Sequence, residues 1–159
     1  MGRAIGPSQR APSEPGTEPF GAVVVKDGAI VGEDLDHAGA RFDPTSHGEV
    51  EAIRDACRKL RCTELSGCDL YASCEPCAIC VAATRIAGIR RLYHAASLDR
   101  SGRALGGVGP KVRPGVDADD LRKEGGPPVE ERRMPSARAM DADAVAVLDA
   151  WAAKYRDHP

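Results

Sequence analysis

Aromatic residues are scarce in this chain, with two Phe, three Tyr and one Trp among 159 residues. A surface that stacks the splayed bases of an RNA loop therefore has little to be built from. Charge excess is also lacking. Twenty-two Lys and Arg stand against 24 Asp and Glu, a formal net charge of −2, so no overall field draws the chain to a phosphate backbone. No apolar run approaches the ~20 residues of a membrane-spanning helix, and no apolar signal segment opens the chain. Met1-Gly2 is not a myristoylation start, because Gly6 occupies the position where that pattern needs Ser or Thr. These absences lead us to expect a cytoplasmic protein with neither a nucleic-acid nor a membrane partner.

Six cysteines are present. A single domain of this length buries a core without disulfide staples, so the cysteines read as thiols in a reducing compartment or as ligands. Cys57, Cys62, Cys68 and Cys74 fit the first description. Cys77 and Cys80, spaced Cys-x-x-Cys, fit the second once His47-Gly48-Glu49 is considered with them. One imidazole and two thiolates supply three ligands to a tetrahedral zinc and leave the fourth position for water, which is the ligand count of a catalytic site. Glu49, two residues beyond His47, is then the carrier of that water's protons. Other readings stay open. Ser46-x-x-Glu49 fits a capping box; a redox dithiol would account for the cysteines but not for His47 and Glu49; a structural zinc would need a fourth ligand such as Cys74.

In chain order, residues 1–18 are dense in Gly and Pro and read as an irregular arm. Ala22–Lys26 and Ala29–Glu33 read as two strands joined by the hairpin dipeptide Asp27-Gly28, and 34–45 as a loop. A helix is expected from Ser46, with Val50, Ile53, Cys57 and Leu60 on its buried stripe and Glu51, Arg54, Asp55, Arg58 and Lys59 facing away. Asp69–Ser73 reads as the third strand. A second helix starts at Glu75-Pro76-Cys77 and stops at Gly88, which puts both cysteines at a positive helix end that favours thiolate. Arg91–Ala95 reads as a fourth strand and Ser97–Pro114 as a glycine-rich loop. Asp117–Glu124 reads as a short helix, Val129–Met134 as a last strand, and an amphipathic helix from near Asp141 carries Trp151 as a packing residue. Alternation of this kind gives an α/β fold, a three-layer α/β/α sandwich around a mixed sheet. One deaminase-type domain is expected over 19–159.

The wider surroundings of these motifs resemble a known family. Pro19-Phe20-Gly21-Ala22-Val23-Val24-Val25-Lys26-Asp27-Gly28, Asp43-Pro44-Thr45-Ser46-His47-Gly48-Glu49-Val50-Glu51-Ala52-Ile53 and Ser73-Cys74-Glu75-Pro76-Cys77 are similar to the guanine deaminase branch of the cytidine deaminase superfamily. Bacterial tRNA adenosine deaminases are close relatives. The resemblance implies one zinc per subunit on His47, Cys77 and Cys80, with Glu49 as the catalytic residue. The reaction it implies is hydrolytic release of ammonia from a small heterocycle, guanine or another purine-like base. Alternatives are a nucleoside, pterin, amino-triazine or cytosine substrate, a tRNA adenosine substrate, or an inactive zinc-binding module.

By the same resemblance, Asp117 is a candidate to bind a substrate amino or N–H group and Tyr155 to complete a lid. The segment 115–159 would then be exchanged between the subunits of a homodimer. Relatives begin with a helix, which Gly6-Pro7 would interrupt here. Where they carry asparagine in the loop before the metal helix, this chain has Asp36, which when ionised accepts hydrogen bonds but cannot donate them. Gly48 stands where alanine is common. Aromatic positions of guanine deaminases fall near Arg85 and Ile86, which leaves Phe20 as the first candidate to stack on a substrate ring.

Overall fold

A computed structural model describes residues 1–109, 117–128 and 131–156, the side chains of 153–156 excepted. It divides into a unit of Met1–Arg122 and a unit of Lys123–Pro159. The first is built on a four-stranded sheet of order β2-β1-β3-β4, comprising β1 (Glu18–Lys26), β2 (Ala29–Asp36), β3 (Cys68–Cys74) and β4 (Arg91–Ala96). β1 runs antiparallel to both β2 and β3, while β4 is parallel to β3, so the sheet is mixed as expected. The β1–β2 turn follows from its dipeptide. Asp27 and Gly28 sit at φ 49° and 79°, the two positive values of a type I′ turn, and Lys26 pairs directly with Ala29.

Alternation along the strands sorts side chains to two faces. Ala22 and Val24 of β1 and Leu70 and Ala72 of β3 join Ala52, Ile53 and Ala56 in the main core. These last three lie on α3 (Gly48–Leu60), which packs across β1 and β2 and also against α4 (Ala78–Ile86). The opposite face is covered by α1 (Gly2–Ser8), which buries Ala4 and Pro7. Helices on both faces of a mixed sheet make the α/β/α layering.

Several expectations are corrected. The stretch 1–18 is not irregular throughout. α1 forms with Pro7 near its C-terminal end, where a missing N–H costs one bond of a short ladder, and a single 3-10 turn follows at Ala11–Ser13. The buried face of α3 is Glu49, Ala52, Ile53 and Ala56, with Glu51 buried as well, whereas Leu60 is exposed. α4 begins at Ala78 with Cys77 as its N-cap, so Pro76 precedes the helix instead of sitting in its first turn.

Between 34 and 45, β2 continues to Asp36 and a single turn, α2, covers Ala38–Arg41. The expected loop after β4 holds a helix, α5 (Leu98–Leu105), whose N-cap Ser97 accepts the Arg100 N–H and whose Asp99–Arg103 pair spans one turn. α6 (Ala118–Gly125) forms as expected.

In the second unit, Glu124 accepts hydrogen bonds from the Arg133 and Met134 amides and from the Arg133 side chain. The described part of the expected last strand, 131–134, runs through turns and bends; Val129 and Glu130 lie outside the described residues. α7 (Asp141–Arg156) carries Val147, Leu148 and Trp151 exposed, so Trp151 is not a core residue of this chain. Among the described residues no helix is long and apolar enough to cross a membrane.

Candidate metal centre and its cavity

His47 ends the 37–46 connection at extended φ/ψ and serves as N-cap of α3. Cys77 holds the same place on α4, and Cys80 lies one turn inside it. Two helix N-termini thus meet, and their unpaired amides favour thiolate and carboxylate there. His47 Nδ1 lies 3.4 Å from each of Cys77 Sγ and Cys80 Sγ, which are 3.6 Å apart. A tetrahedral zinc with Zn–S of about 2.3 Å and Zn–N of about 2.0 Å sets its ligand atoms about 3.5–3.8 Å apart, so the donor set fits zinc. Among the described residues these three form the one group of His, Cys, Asp or Glu side chains placed to hold a metal. Cys74 is not a member of it, although it lines the adjoining cavity, so three protein ligands leave a fourth position open.

The protons of the triad are shared. The sulfur–sulfur hydrogen bond with Cys80 and the nearby imidazole hold Cys77 down at about 4 against the effect of burial. The Cys77 hydrogen bond lifts His47 to about 9, and Cys80, beside a thiolate, is pushed far above the ordinary thiol range. One thiolate is therefore already favoured where a cation would sit.

Glu49 is 6% exposed and its Oε2 lies 3.2 Å from Cys80 Sγ. Burial raises its pKa, partly offset by hydrogen bonds from its own amide and from Cys80. No capping box forms. The α3 N-cap is His47 without a side-chain cap bond, and Ser46 Oγ donates instead to Glu51 Oε1 at 2.8 Å.

Above the triad opens a cavity of about 390 Å³, within the ordinary range for small-molecule sites. Phe20 and Asp36 line it, as do His47, Glu49, Cys77 and Cys80. Asp36 is 4% exposed, with Oδ1 accepting the Ala38 N–H at 2.9 Å. Desolvation raises its pKa, and the neighbouring Glu18 adds to the rise. Asp117 does not line the cavity; its Oδ1 accepts the Asp119 and Asp120 amides and caps α6. Tyr155 lies in α7 with its side chain outside the described residues.

Sequence reasoning missed Glu18, Phe42, Pro44, Glu75, Leu98 and Leu121 as lining residues. For Glu75 a signal existed, since it lies two residues before Cys77. Its Oε2 accepts the Leu98 N–H, and its Oε1 pairs with Arg122 at 3.2 Å, which ties β3's end to α5 and α6. Gly48 also has a function that its helix propensity hides. A Cβ there would lie 2.2 Å from the Phe20 carbonyl oxygen, so the missing side chain lets β1 press against the first turn of α3.

Comparison with known proteins follows the same lines. The family model of the cytidine and deoxycytidylate deaminase zinc-binding region matches residues 1–96. The guanine deaminase of Bacillus subtilis (strain 168) is 38% identical over 133 residues, 84% of this chain and 79% of that protein. The tRNA-specific adenosine deaminase of Agrobacterium fabrum is 39% identical over 99 residues, 62% of this chain and 65% of that protein. The crystal structure of the Bacillus subtilis guanine deaminase superposes with a TM-score of 0.80 at 34% identity, covering 95% of this chain and 90% of that one. The guanine deaminase of Nitrosomonas europaea gives a TM-score of 0.59 at 27% identity, covering 67% of this chain and 61% of that one.

Proposed function

Because the chain belongs to the cytidine and deoxycytidylate deaminase family of zinc-dependent hydrolytic deaminases, we propose that it releases ammonia from guanine or a closely related purine-like base. The observation that carries this reading is the make-up of the cavity. Glu18, Asp36, Glu49 and Glu75 line it, and among the described residues no Lys or Arg does. A phosphorylated substrate would meet carboxyl groups and no lining cation there, whereas a free base presenting N–H and NH2 groups meets acceptors.

His47, Cys77 and Cys80 would hold a zinc ion, which when bound would supply Lewis acidity and lower the pKa of water to about 7. The remaining work belongs to the protein. Glu49, buried and within contact of Cys80, takes a proton from the attacking water as its oxygen adds to the amino-bearing ring carbon. It delivers the proton to the adjacent ring nitrogen, and then carries the proton of the newly added hydroxyl to the amino group as C=O forms, the C–N bond breaks and ammonia leaves. A carboxyl whose pKa is raised by burial holds a proton long enough to serve both steps. Phe20 lines the cavity as the candidate for contact with the substrate ring, and the Asp36 carboxylate accepts from an N–H edge of the base.

We also propose a cytoplasmic homodimer. The exposed Val147 and Leu148 of α7 support a partner for that helix, and an exchanged 115–159 segment would supply one. The test of the substrate is ammonia release by zinc-loaded protein over guanine, guanosine, adenine, cytosine, a pterin and an amino-triazine, with total tRNA in a parallel gel shift. Guanine or another purine-like base is expected to lead, with no tRNA band. Turnover confined to adenosine in tRNA would overturn the proposal.

A further inference from the structure

Glu51 is fully buried, at 0% exposure, one helical turn along α3 from His47, whose carbonyl accepts the Glu51 N–H at 2.9 Å. A carboxylate taken out of water persists only when its lone pairs are filled. Oε1 accepts from the Ser46 hydroxyl at 2.8 Å and from Arg54 Nη1 at 2.5 Å, and Oε2 accepts from Arg41 Nη1. Glu51 is not itself among the cavity-lining residues.

Two of these three donors, Arg41 and Ser46, come from the segment 37–46 that connects β2 to α3. Its ends are closed by the His37 N–H on the Ser46 carbonyl at 2.9 Å. Asp34 at the base of the segment takes His37 Nε2 at 2.9 Å and pairs with Arg41 at 3.7 Å. Apolar packing contributes little, since α2 buries no residue and Phe42 is 95% exposed at φ 52°. Yet this segment gives Ala38, Gly39, Phe42 and Pro44 to the cavity wall. A wall without a core of its own keeps its place through what it is tied to: the Ala40 N–H bonds the Gly16 carbonyl at 2.7 Å, Asp43 pairs with Arg54 at 3.7 Å, and the tie buried from water is the Glu51 carboxylate on the helix that begins at His47.

We propose that Glu51 is a positioning residue that fixes the 37–46 wall of the cavity against the metal-bearing turn, and so sets substrate affinity without touching substrate. The kinetic half of the inference rests on the proposed guanine deaminase activity, whereas its conformational half does not.

The test uses full-length, zinc-loaded protein with Glu51→Gln and, separately, Arg41→Gln, a half-exposed residue whose replacement leaves the core intact. Hydrogen exchange of peptides within 37–46 is expected to speed up about tenfold in each, with β1 unchanged and zinc content at the wild-type level. For guanine, KM is expected to rise about tenfold with kcat within about twofold, the size of one lost charge-assisted bond. If Glu51→Gln does not fold, Arg41→Gln decides alone. Unchanged exchange in 37–46, faster exchange with unchanged KM, or kcat and KM falling in step with zinc loss would each overturn the assignment. A wild type inert towards guanine would reject the substrate reading, and the exchange result would still decide the role of Glu51.

Discussion

Glu49 Oε2 and Cys80 Sγ lie 3.2 Å apart, so the proposed proton carrier touches a member of the candidate metal site while taking no place among its three donors. The relationship separates two roles that mutation can tell apart. Glu49→Gln keeps the shape of the side chain and removes its proton transfer. It is expected to bind zinc in the wild-type amount and to lose at least about 100-fold in kcat, the usual range for a lost general acid–base. Zinc content and ammonia release measured on the same preparation check both halves.

His47→Ala and Cys77→Ser are expected to differ from Glu49→Gln by losing the metal along with activity. Removing one of three protein ligands leaves a pair that competes poorly with a chelator. Zinc retention after dialysis against a chelator is the measurement, and full retention in either variant would remove that residue from the ligand set.

Gly48→Ala would stabilise an ordinary helix by about 1 kcal/mol. Here the added Cβ would fall 2.2 Å from the Phe20 carbonyl oxygen, and forcing strand and helix apart costs about 1–3 kcal/mol. A net loss is therefore expected, read as a lower urea midpoint at unchanged m-value.

At Asp55 and Glu51 acid sensitivity has a definite sign. The effect of burial on Asp55 is outweighed by hydrogen bonds from Lys59 and the Glu33 amide, which hold its pKa below 3.8. In Glu51, likewise, Ser46, Arg41 and Arg54 outweigh burial and keep it below 4.5. Carboxyls depressed in the folded state contribute stability that is complete above their unfolded values and is lost as pH falls through the folded ones. Thermal midpoints should accordingly drop from about pH 4.5 downward. Asp55→Asn, which also loosens the α3–β2 contact, should show a shallower drop than wild type over that window.

Asp36→Asn tests the cavity's preference. The amide both donates and accepts where the carboxylate accepts, so the variant is expected to shift relative kcat/KM away from bases presenting two donors on that edge. An unchanged preference order over the base panel would show that the Asp36 side chain does not read the substrate.

The metal centre was legible in the sequence because its chemistry is local: a Cys-x-x-Cys pair at one helix start and a His-x-Glu at another need only be brought together by a sheet whose strands are also plain. The hairpin was legible for the same reason, since Asp27-Gly28 meets the demand of its turn within two residues. Glu51 was not, because the pattern of α3 reads any charge at that position as solvated, and of the two guanidiniums that meet it, Arg54 on the same helix and Arg41, the second sits ten residues away on another element. α5 was hidden by the glycines around it, although Ser97 and the Asp99–Arg103 pair are helix signals. Phe42 and Pro44 reach the cavity only through the path of the 37–46 segment, which no periodicity describes.

Zinc-edge X-ray absorption of the purified protein tests the central claim most directly. The account predicts one zinc per chain with two sulfur ligands at about 2.3 Å and two nitrogen or oxygen ligands at about 2.0–2.1 Å, one of them exchangeable water. Three or four sulfur ligands, or a chain that binds no zinc at His47, Cys77 and Cys80, would contradict it.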